Sequence, residues 1–395
     1  MKIAYMGVKG LPSKSGTERV IEAIISRLTG RHEITVYCDS IYTPKNSEIN
    51  GVRLIRIPTF FNGKYTKAPM LDILSALHAL FFGNYDVIHM NGVENTFMLP
   101  LLRLKYRVVS TSHGSPGRIP HSRWGSLAKL IVDQTNYSFF NLSNIATTIS
   151  GPDADYFKDR FNKKILYIPN GVDINIQADQ NAAQSFLREH GIKPQNFILF
   201  AAGRIIPLKG CHLLLEAYQR IDSDIPLLVI GNLVPDPDYV KLLKQLASSR
   251  PVTFIPAISN RELLFGVLSQ CKLFVFPSTA ESMSMMLLEA VSLNIPLVCS
   301  DIKENNSVLG DSVLYFRSGD VKDLADKMQY ALNHPEEMAI IAHKASDLVK
   351  NDYSWDKIAG QYETLYKCCV EGKSISEVMC DENKNKNLSE LPDKQ

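Results

Sequence analysis

The chain has 395 residues, 45% of them hydrophobic and 21% charged, which suits two soluble globular domains and excludes a low-complexity or fibrous polymer. The formal net charge is +2, yet residues 1–173 hold 21 Lys and Arg against 13 Asp and Glu while the remainder is acidic, so only the first half suits an anionic surface or substrate. No apolar run reaches the roughly eighteen residues of a membrane span, the N-terminus enters a strand at once and reads as no signal peptide, and seven scattered cysteines without a C-x-x-C pair argue against a disulfide framework or a zinc site.

In chain order, Lys2–Gly7 reads as a buried strand. A loop follows (Val8-Lys-Gly10-Leu-Pro12-Ser-Lys-Ser15-Gly16), then a helix from Thr17 with Val20, Ile21, Ile24 and Ile25 at helical spacing. Glu33–Cys38 and Val52–Ile57 are strands, Asp72–Phe82 is predicted as an amphipathic helix, and Val87–His89, Arg107–His113 and Ile145–Ile149 are further strands. Ile168-Pro-Asn170-Gly-Val-Asp173 carries turn signals. A second series follows it: Phe197–Ala202, Pro226–Gly231, Val252–Ile255, Leu273–Phe276, Ile295–Cys299 and Ser312–Phe316. Such alternation predicts α/β domains with doubly wound, mainly parallel sheets whose ligands sit at the carboxyl edge. Near the end, Trp355–Tyr366 has helical periodicity, and the tail from Glu371 is rich in Lys, Asn, Glu, Asp and Ser, a composition that predicts disorder.

Two stretches carry chemistry. In the first, Gly203-Arg204-Ile-Ile-Pro-Leu-Lys209-Gly210, a guanidinium and an ammonium lie between a strand and a helix N-terminus. That arrangement suits a diphosphate whose charge rises as a bond to it breaks. In the second, Phe276-Pro-Ser-Thr-Ala-Glu281-Ser-Met283-Ser284-Met285-Met-Leu-Leu-Glu289, strand, polar loop and helix follow one another. The helix-start N–H groups aim at an anion, and two carboxylates bracket the turn.

The Glu-x7-Glu pattern, with Gly-Arg-(x4)-Lys-Gly and Ser15-Gly16-Thr17-Glu18-Arg19-Val20, resembles the retaining GT-B glycosyltransferases of family 4. The resemblance implies two Rossmann-like domains facing a central cleft. Residues 1–172 would form the acceptor domain, packed on by a C-terminal helix 354–370; residues 173–353 would form the nucleotide-sugar donor domain, and 371–395 a disordered tail. It implies that Glu281 holds sugar hydroxyls, Glu289 the ribose, Arg204 and Lys209 the leaving diphosphate, and His113 the transferred sugar. Gly16, Ile258, Met283, Ser284 and Met285 would complete the donor site. His89 and Asn91 would line the acceptor side. Ser15, Ser282 and Ser284 stand where the family usually has Gly. No metal and no cofactor are expected, the nucleotide sugar being a co-substrate; Asp236-Pro-Asp238 reads as a turn. Closure around Asn170–Asp173 would exclude water.

The function this implies is metal-independent, retaining transfer of a hexosyl unit to a hydroxyl acceptor, such as a lipid-linked or polysaccharide glycan under assembly. The alternatives are a nucleotide-sugar 2-epimerase of the same fold and a non-catalytic nucleotide-sugar-binding protein. No nucleic-acid partner is expected. A cytoplasmic location, peripheral to an anionic inner membrane face, would fit the basic first half, with Arg118, His121, Arg123, Trp124 and Lys129 flanking the apolar segment Leu127–Val132.

Overall fold

The computed structural model describes residues 1–13, 16–47, 49–60, 67–114, 126–233, 236–373 and Glu377, the side chains of 126–132 excepted. Ser15, Arg118, His121, Arg123, Trp124 and nearly all of the tail therefore lie outside the described residues, as do the side chains of Leu127–Val132. The chain divides into two units: Met1–Asn170 together with the chain from Trp355 onward, and Gly171–Ser354.

In the first unit the order is β1 (Lys2–Val8), α1 (Gly16–Leu28), β2 (Glu33–Asp39), β3 (Val52–Ile57), α2 (Lys67–Phe82), β4 (Val87–Asn91), α3 (Leu99–Leu102), β5 (Arg107–Ser112), α4 (Ser126–Leu142), β6 (Ile145–Thr148), α5 (Gly151–Phe161) and β7 (Leu166–Tyr167). A 3-10 turn at Val93–Met98, unmarked in the sequence, precedes α3. The strands form one parallel sheet in the order β3-β2-β1-β4-β5-β6-β7. Strand order reverses between β1 and β4, so their carboxyl ends splay into a crevice.

The second unit contains α6 (Gln180–Glu189), β8 (Ile198–Ile205), α7 (Cys211–Tyr218), β9 (Leu227–Leu233), α8 (Pro237–Leu246), β10 (Val252–Ile255), α9 (Arg261–Ser269), β11 (Leu273–Phe276), α10 (Met285–Ser292), β12 (Leu297–Ser300), α11 (Lys303–Leu309), β13 (Leu314–Phe316), α12 (Val321–Asn333) and α13 (Pro335–Asp352). Its parallel sheet runs β10-β9-β8-β11-β12-β13, and the reversal lies between β8 and β11. These strands are buried on both faces by flanking helices, which is why they read as unbroken apolar runs. The last helix, α14 (Trp355–Glu371), rejoins the first unit and packs on α1, β4 and β5.

Three local expectations need correction. Asp236 opens no turn: its carboxylate accepts from the Tyr239 N–H at 3.1 Å and caps α8, with Pro237 in the first turn, where its missing N–H costs nothing. Strand β8 continues past Ala202, through a register shift, to pair Arg204 with Asn232. Helix α2 is not amphipathic, because its single acid, Asp72, is buried with Leu71, Ser75, Ala76 and Ala79.

Candidate functional site

The loops that carry the two charged motifs meet at the switch point of the second unit. Arg204 ends β8 and is exposed; among the described residues its side chain has no hydrogen-bonded or ion-paired partner. A 3-10 turn, Pro207–Lys209, carries the chain to α7, and Gly210 turns it with φ at 69°. A Cβ at Gly210 would lie 2.0 Å from the Pro277 carbonyl oxygen, so only glycine lets this loop pass under the end of β11. The Thr279 N–H donates to the Leu208 carbonyl at 2.9 Å and fastens the two loops together. Behind them, the Ser300 hydroxyl donates to the Ser278 carbonyl at 2.5 Å, and the Asn305 amide donates to Ser300. That is what the Ser300 loop does here.

The clamp sets the charges. Lys209 Nζ donates to Glu281 Oε1 at 2.6 Å, with the Glu281 side chain only 9% exposed. Glu289, buried on α10, accepts a hydrogen bond from Arg261 Nη2. Arg261 was not singled out in the sequence. It is the first residue of α9, its guanidinium covers the Phe265 ring at 4.4 Å, and no local pattern joins it to a glutamate 28 positions away. The two carboxylates assigned to the donor are thus both held in ion pairs, and Arg204, in the same loop as Lys209, is exposed.

Ser284 takes the N-cap of α10 with φ −80°, and its hydroxyl accepts from the Leu287 N–H at 3.4 Å. Nothing in that backbone calls for glycine, and Ser282 is likewise absent from the positive-φ residues. The side chains of Met283 and Met285 are buried. What these positions offer a ligand is backbone N–H, which the first helical turn leaves without an intrahelical acceptor. Ile258 is half-buried after β10, where the Ala257 N–H donates to Asn232 Oδ1 at 3.0 Å and Pro256 is exposed. Gly231 is required at the end of β9, because a Cβ would stand 2.2 Å from the Ala202 carbonyl oxygen.

In the first unit, the crevice between β1 and β4 opens into a cavity of about 510 Å³ whose lining includes Lys9, Glu18, Asp72, Asn91, Glu94 and His113. Asn91 organises it. Its amide donates to the Met6 carbonyl at 3.1 Å, which turns its Oδ1 toward His113 Nε2, also at 3.1 Å. His113 therefore carries its proton on Nε2. Burial lowers the imidazole to about 4, and among the described residues Nδ1 is left as an acceptor without a partner. Asp72 also lines the cavity with no hydrogen bond or ion pair to its carboxyl among the described residues. Burial first, and then the Glu94 carboxylate, push its pKa well above the usual range. That carboxyl and the neutral imidazole are hydrogen-bonding groups suited to hydroxyls, while Lys9 and the Lys67–Asp39 pair at 3.3 Å keep charge on the same wall.

His89 is a correction. Its Nδ1 meets the Tyr366 hydroxyl at 2.6 Å and its Nε2 the Thr111 hydroxyl at 2.7 Å, inside a chain of hydrogen bonds that continues to Tyr5 and Thr147. Both ring nitrogens are used and the residue is fully buried, so His89 ties α14 to the sheet and does not line the acceptor side. Gly16 begins α1, and a Cβ there would meet nothing within 4 Å; only an incoming ligand would make glycine necessary. Among the described residues, no group of three or more His, Cys, Asp or Glu is placed to hold a metal ion.

The chain is similar to proteins of known class. Residues 183–348 match the model of the family described as glycosyl transferases group 1, and residues 14–176 match that of glycosyltransferase family 4. The O-antigen biosynthesis glycosyltransferase WclY of Escherichia coli is 23% identical over 93% of this chain and 98% of its own. The capsular polysaccharide biosynthesis glycosyltransferase CapM of Staphylococcus aureus is 26% identical over 50% of this chain and 54% of its own. Among solved structures, Anabaena HepE in complex with UDP and glucose superposes with a TM-score of 0.75 at 19% identity, covering 93% of this chain and all of that one. WaaG, a glycosyltransferase of lipopolysaccharide biosynthesis, gives 0.72 at 15%, covering 92% and 99%. Two parallel α/β units, matched in turn by two family models over residues 14–176 and 183–348, place this chain in the group 1 glycosyltransferases of GT-B fold.

Proposed function

We propose that the protein moves a hexosyl unit from a nucleoside-diphosphate sugar to a hydroxyl of a lipid-linked or polysaccharide glycan under assembly, retaining the anomeric configuration and using no metal. The observation that carries this reading is the clamped Lys209–Glu281 pair, with Arg204 exposed beside it in the same motif. Arg204 and Lys209 neutralise the diphosphate as the glycosidic C–O bond breaks and negative charge collects on the leaving oxygen. N–H groups at the start of α10 add to that field. Glu281, freed in part from Lys209 when phosphate arrives, accepts hydrogen bonds from sugar hydroxyls; Glu289, oriented by Arg261, accepts from the ribose. The His113 Nδ1 lone pair accepts from a sugar hydroxyl, and the unit 1 cavity takes the acceptor. The basic first half suits work at an anionic inner membrane face.

The transferase relatives favour this reading over a 2-epimerase or a non-catalytic binder. Incubation with candidate nucleotide sugars and membrane-extracted glycan acceptors, followed by product analysis, tests it. A new glycoside with the donor's anomeric configuration, formed equally well in chelator, is the expected result. An isomerised nucleotide sugar overturns it, as does ligand binding without product across the donor set. A thermal-shift screen with uridine, guanosine and thymidine diphosphates identifies the base, since a ligand at 100 times its dissociation constant adds about 2.7 kcal/mol.

A further inference from the structure

Helix α2 is apolar on both faces. Leu71, Ala76 and Ala79 pack inward. Outward, Ile73, Leu77 and Phe81 follow one another at four-residue spacing and are exposed, Phe81 to 76% and its neighbour Phe82 to 78%. After Lys67 the helix has one charged residue, Asp72, and it is buried. A surface helix ordinarily turns a polar face to water; one that is apolar all round is covered by something.

The ridge extends onto the next segment. Lys105 Nζ donates to the carbonyls of Leu80 and Gly83, both at 2.9 Å, and the Tyr106 hydroxyl donates to Ala79 and Gly83. These bonds hold Leu104, the most exposed large apolar side chain among the described residues, beside the end of α2. The segment Thr96–Arg107 contains Arg103, Lys105 and Arg107 and no acid. Lys2 and Arg53 border the hollow that Phe82 lines. The acids nearby are Glu33, 3.9 Å from Lys2 Nζ, and Asp86, which accepts from the Lys2 N–H.

We propose that the outer face of α2, continued by Leu101, Leu104 and Lys105, is a membrane-docking surface that seats the first unit on an anionic bilayer. Phe81, Phe82 and Leu104 enter the boundary between headgroups and acyl chains, and Lys105 and Arg53 meet lipid phosphates. A second copy of the chain is the less suitable occupant, because a self-complementary pairing would bring the same cation-rich edges together. This inference rests on the proposed membrane-presented acceptor and deepens it. The first turn of α2, with Lys67, Leu71 and Asp72, lines the unit 1 cavity, and ten residues of helix from Leu71 to Phe81 span about 15 Å. The docked surface and the acceptor cavity are thus joined by one rigid element.

The test is co-sedimentation of the full chain with phosphatidylcholine vesicles, with and without phosphatidylglycerol, alongside the triple variant Phe81→Ser/Phe82→Ser/Leu104→Ser and Arg53→Gln. Wild type is expected to sediment with the anionic vesicles only, the triple variant to lose at least tenfold in partitioning, and Arg53→Gln to lose a smaller factor that vanishes in high salt. The triple variant keeps its melting temperature and its thermal response to nucleoside diphosphates, which separates lost docking from lost folding. If wild type binds neither vesicle, the membrane-face reading itself fails. If wild type binds and the triple variant binds as well, membrane association stands and this surface is wrong. Equal binding to neutral vesicles removes the anionic requirement. Self-association of wild type that the triple variant abolishes, without vesicle binding, makes the face an interface between copies and overturns the proposal.

Discussion

The two units share one plan and differ in how they hold part of the ionisable groups at their switch points. At the switch point of the second unit, charges are kept and paired: Lys209 with Glu281, Arg261 with Glu289. At that of the first, Lys67 and Asp39 keep a pair of the same kind at 3.3 Å on the cavity wall, but two further lining groups are uncharged or tending so: His113 is held neutral by burial, and Asp72 is driven toward its protonated form. Fixed ion pairs can exchange partners with an incoming diphosphate at little reorganisation cost, because the charges already exist and point at one another. A neutral imidazole and a buried carboxyl have nothing to offer a phosphate, but they supply directional hydrogen bonds to a polyol. The crevice of the first unit therefore sets uncharged hydrogen-bonding groups within a charged wall, whereas both carboxylates of the second are ion-paired.

Breaking the charged half gives the largest effect. Arg204→Ala and Lys209→Ala should each lower turnover by a factor of order 10², measured at saturating donor. The comparison is sharpened by stability: Arg204 is exposed and unpaired among the described residues, so its removal leaves the unfolding free energy unchanged within about 0.5 kcal/mol. Lys209→Ala strands the Glu281 carboxylate and lowers it. Wild-type turnover in both variants would remove the leaving-group role.

Next in size is His89→Phe, which separates the structural histidine from the functional one. It leaves the Tyr366 and Thr111 hydroxyls each short of a partner, at about 1–3 kcal/mol for a buried group. Denaturant midpoints should fall while the Michaelis constant for acceptor stays put. Unaltered stability with a raised Michaelis constant would return His89 to the acceptor side.

Asp72→Asn tests the suppressed charge. Because the folded pKa is raised above the unfolded value of about 3.8, the native state favours the protonated acid. Ionised Asp72 then costs stability as pH climbs past that value and through the folded pKa. The amide has no such cost. The variant should melt higher than wild type at pH 8, with the gap closing as pH falls toward 4, and should transfer sugar more slowly. A lower melting temperature at pH 8 would mean that the carboxylate is stabilised by a partner.

Much of this was legible in sequence for physical reasons. Parallel strands sheathed by helices must be apolar throughout, so Phe197–Ala202 and Leu273–Phe276 declare themselves. Gly210 sits where a loop passes 2.0 Å from a carbonyl at any Cβ, and the cations around it stand at fixed offsets from that constraint. What periodicity does not encode is partnership across distant elements. Arg261 meets Glu289 only because α9 and α10 pack side by side. His89 and His113 both close predicted strands, yet the alternation of side chains and the return of α14 put one in the core and the other at a cavity. The segment Asp72–Phe82 carries one acid at its start and suggests an amphipathic helix, but the inward phase of Leu71 and Ala76 buries that acid.

The smallest effect bears on Ser284, which stands where the family pattern has glycine. If that serine were an obstacle to the donor, Ser284→Gly would raise turnover. The geometry argues for a different trade. At φ −80° the residue gains nothing from glycine, and its hydroxyl satisfies the Leu287 N–H. Glycine is itself a fair N-cap, so Ser284→Gly should cost only a few tenths of a kcal/mol, whereas Ser284→Ala should cost about 1 kcal/mol. Melting temperatures in the order wild type, glycine, alanine, with near-equal affinity for nucleoside diphosphate, assign the hydroxyl to the helix. A glycine variant that binds diphosphate tenfold more tightly would assign the position to the ligand, because the gain would come from backbone approach that the side chain had blocked.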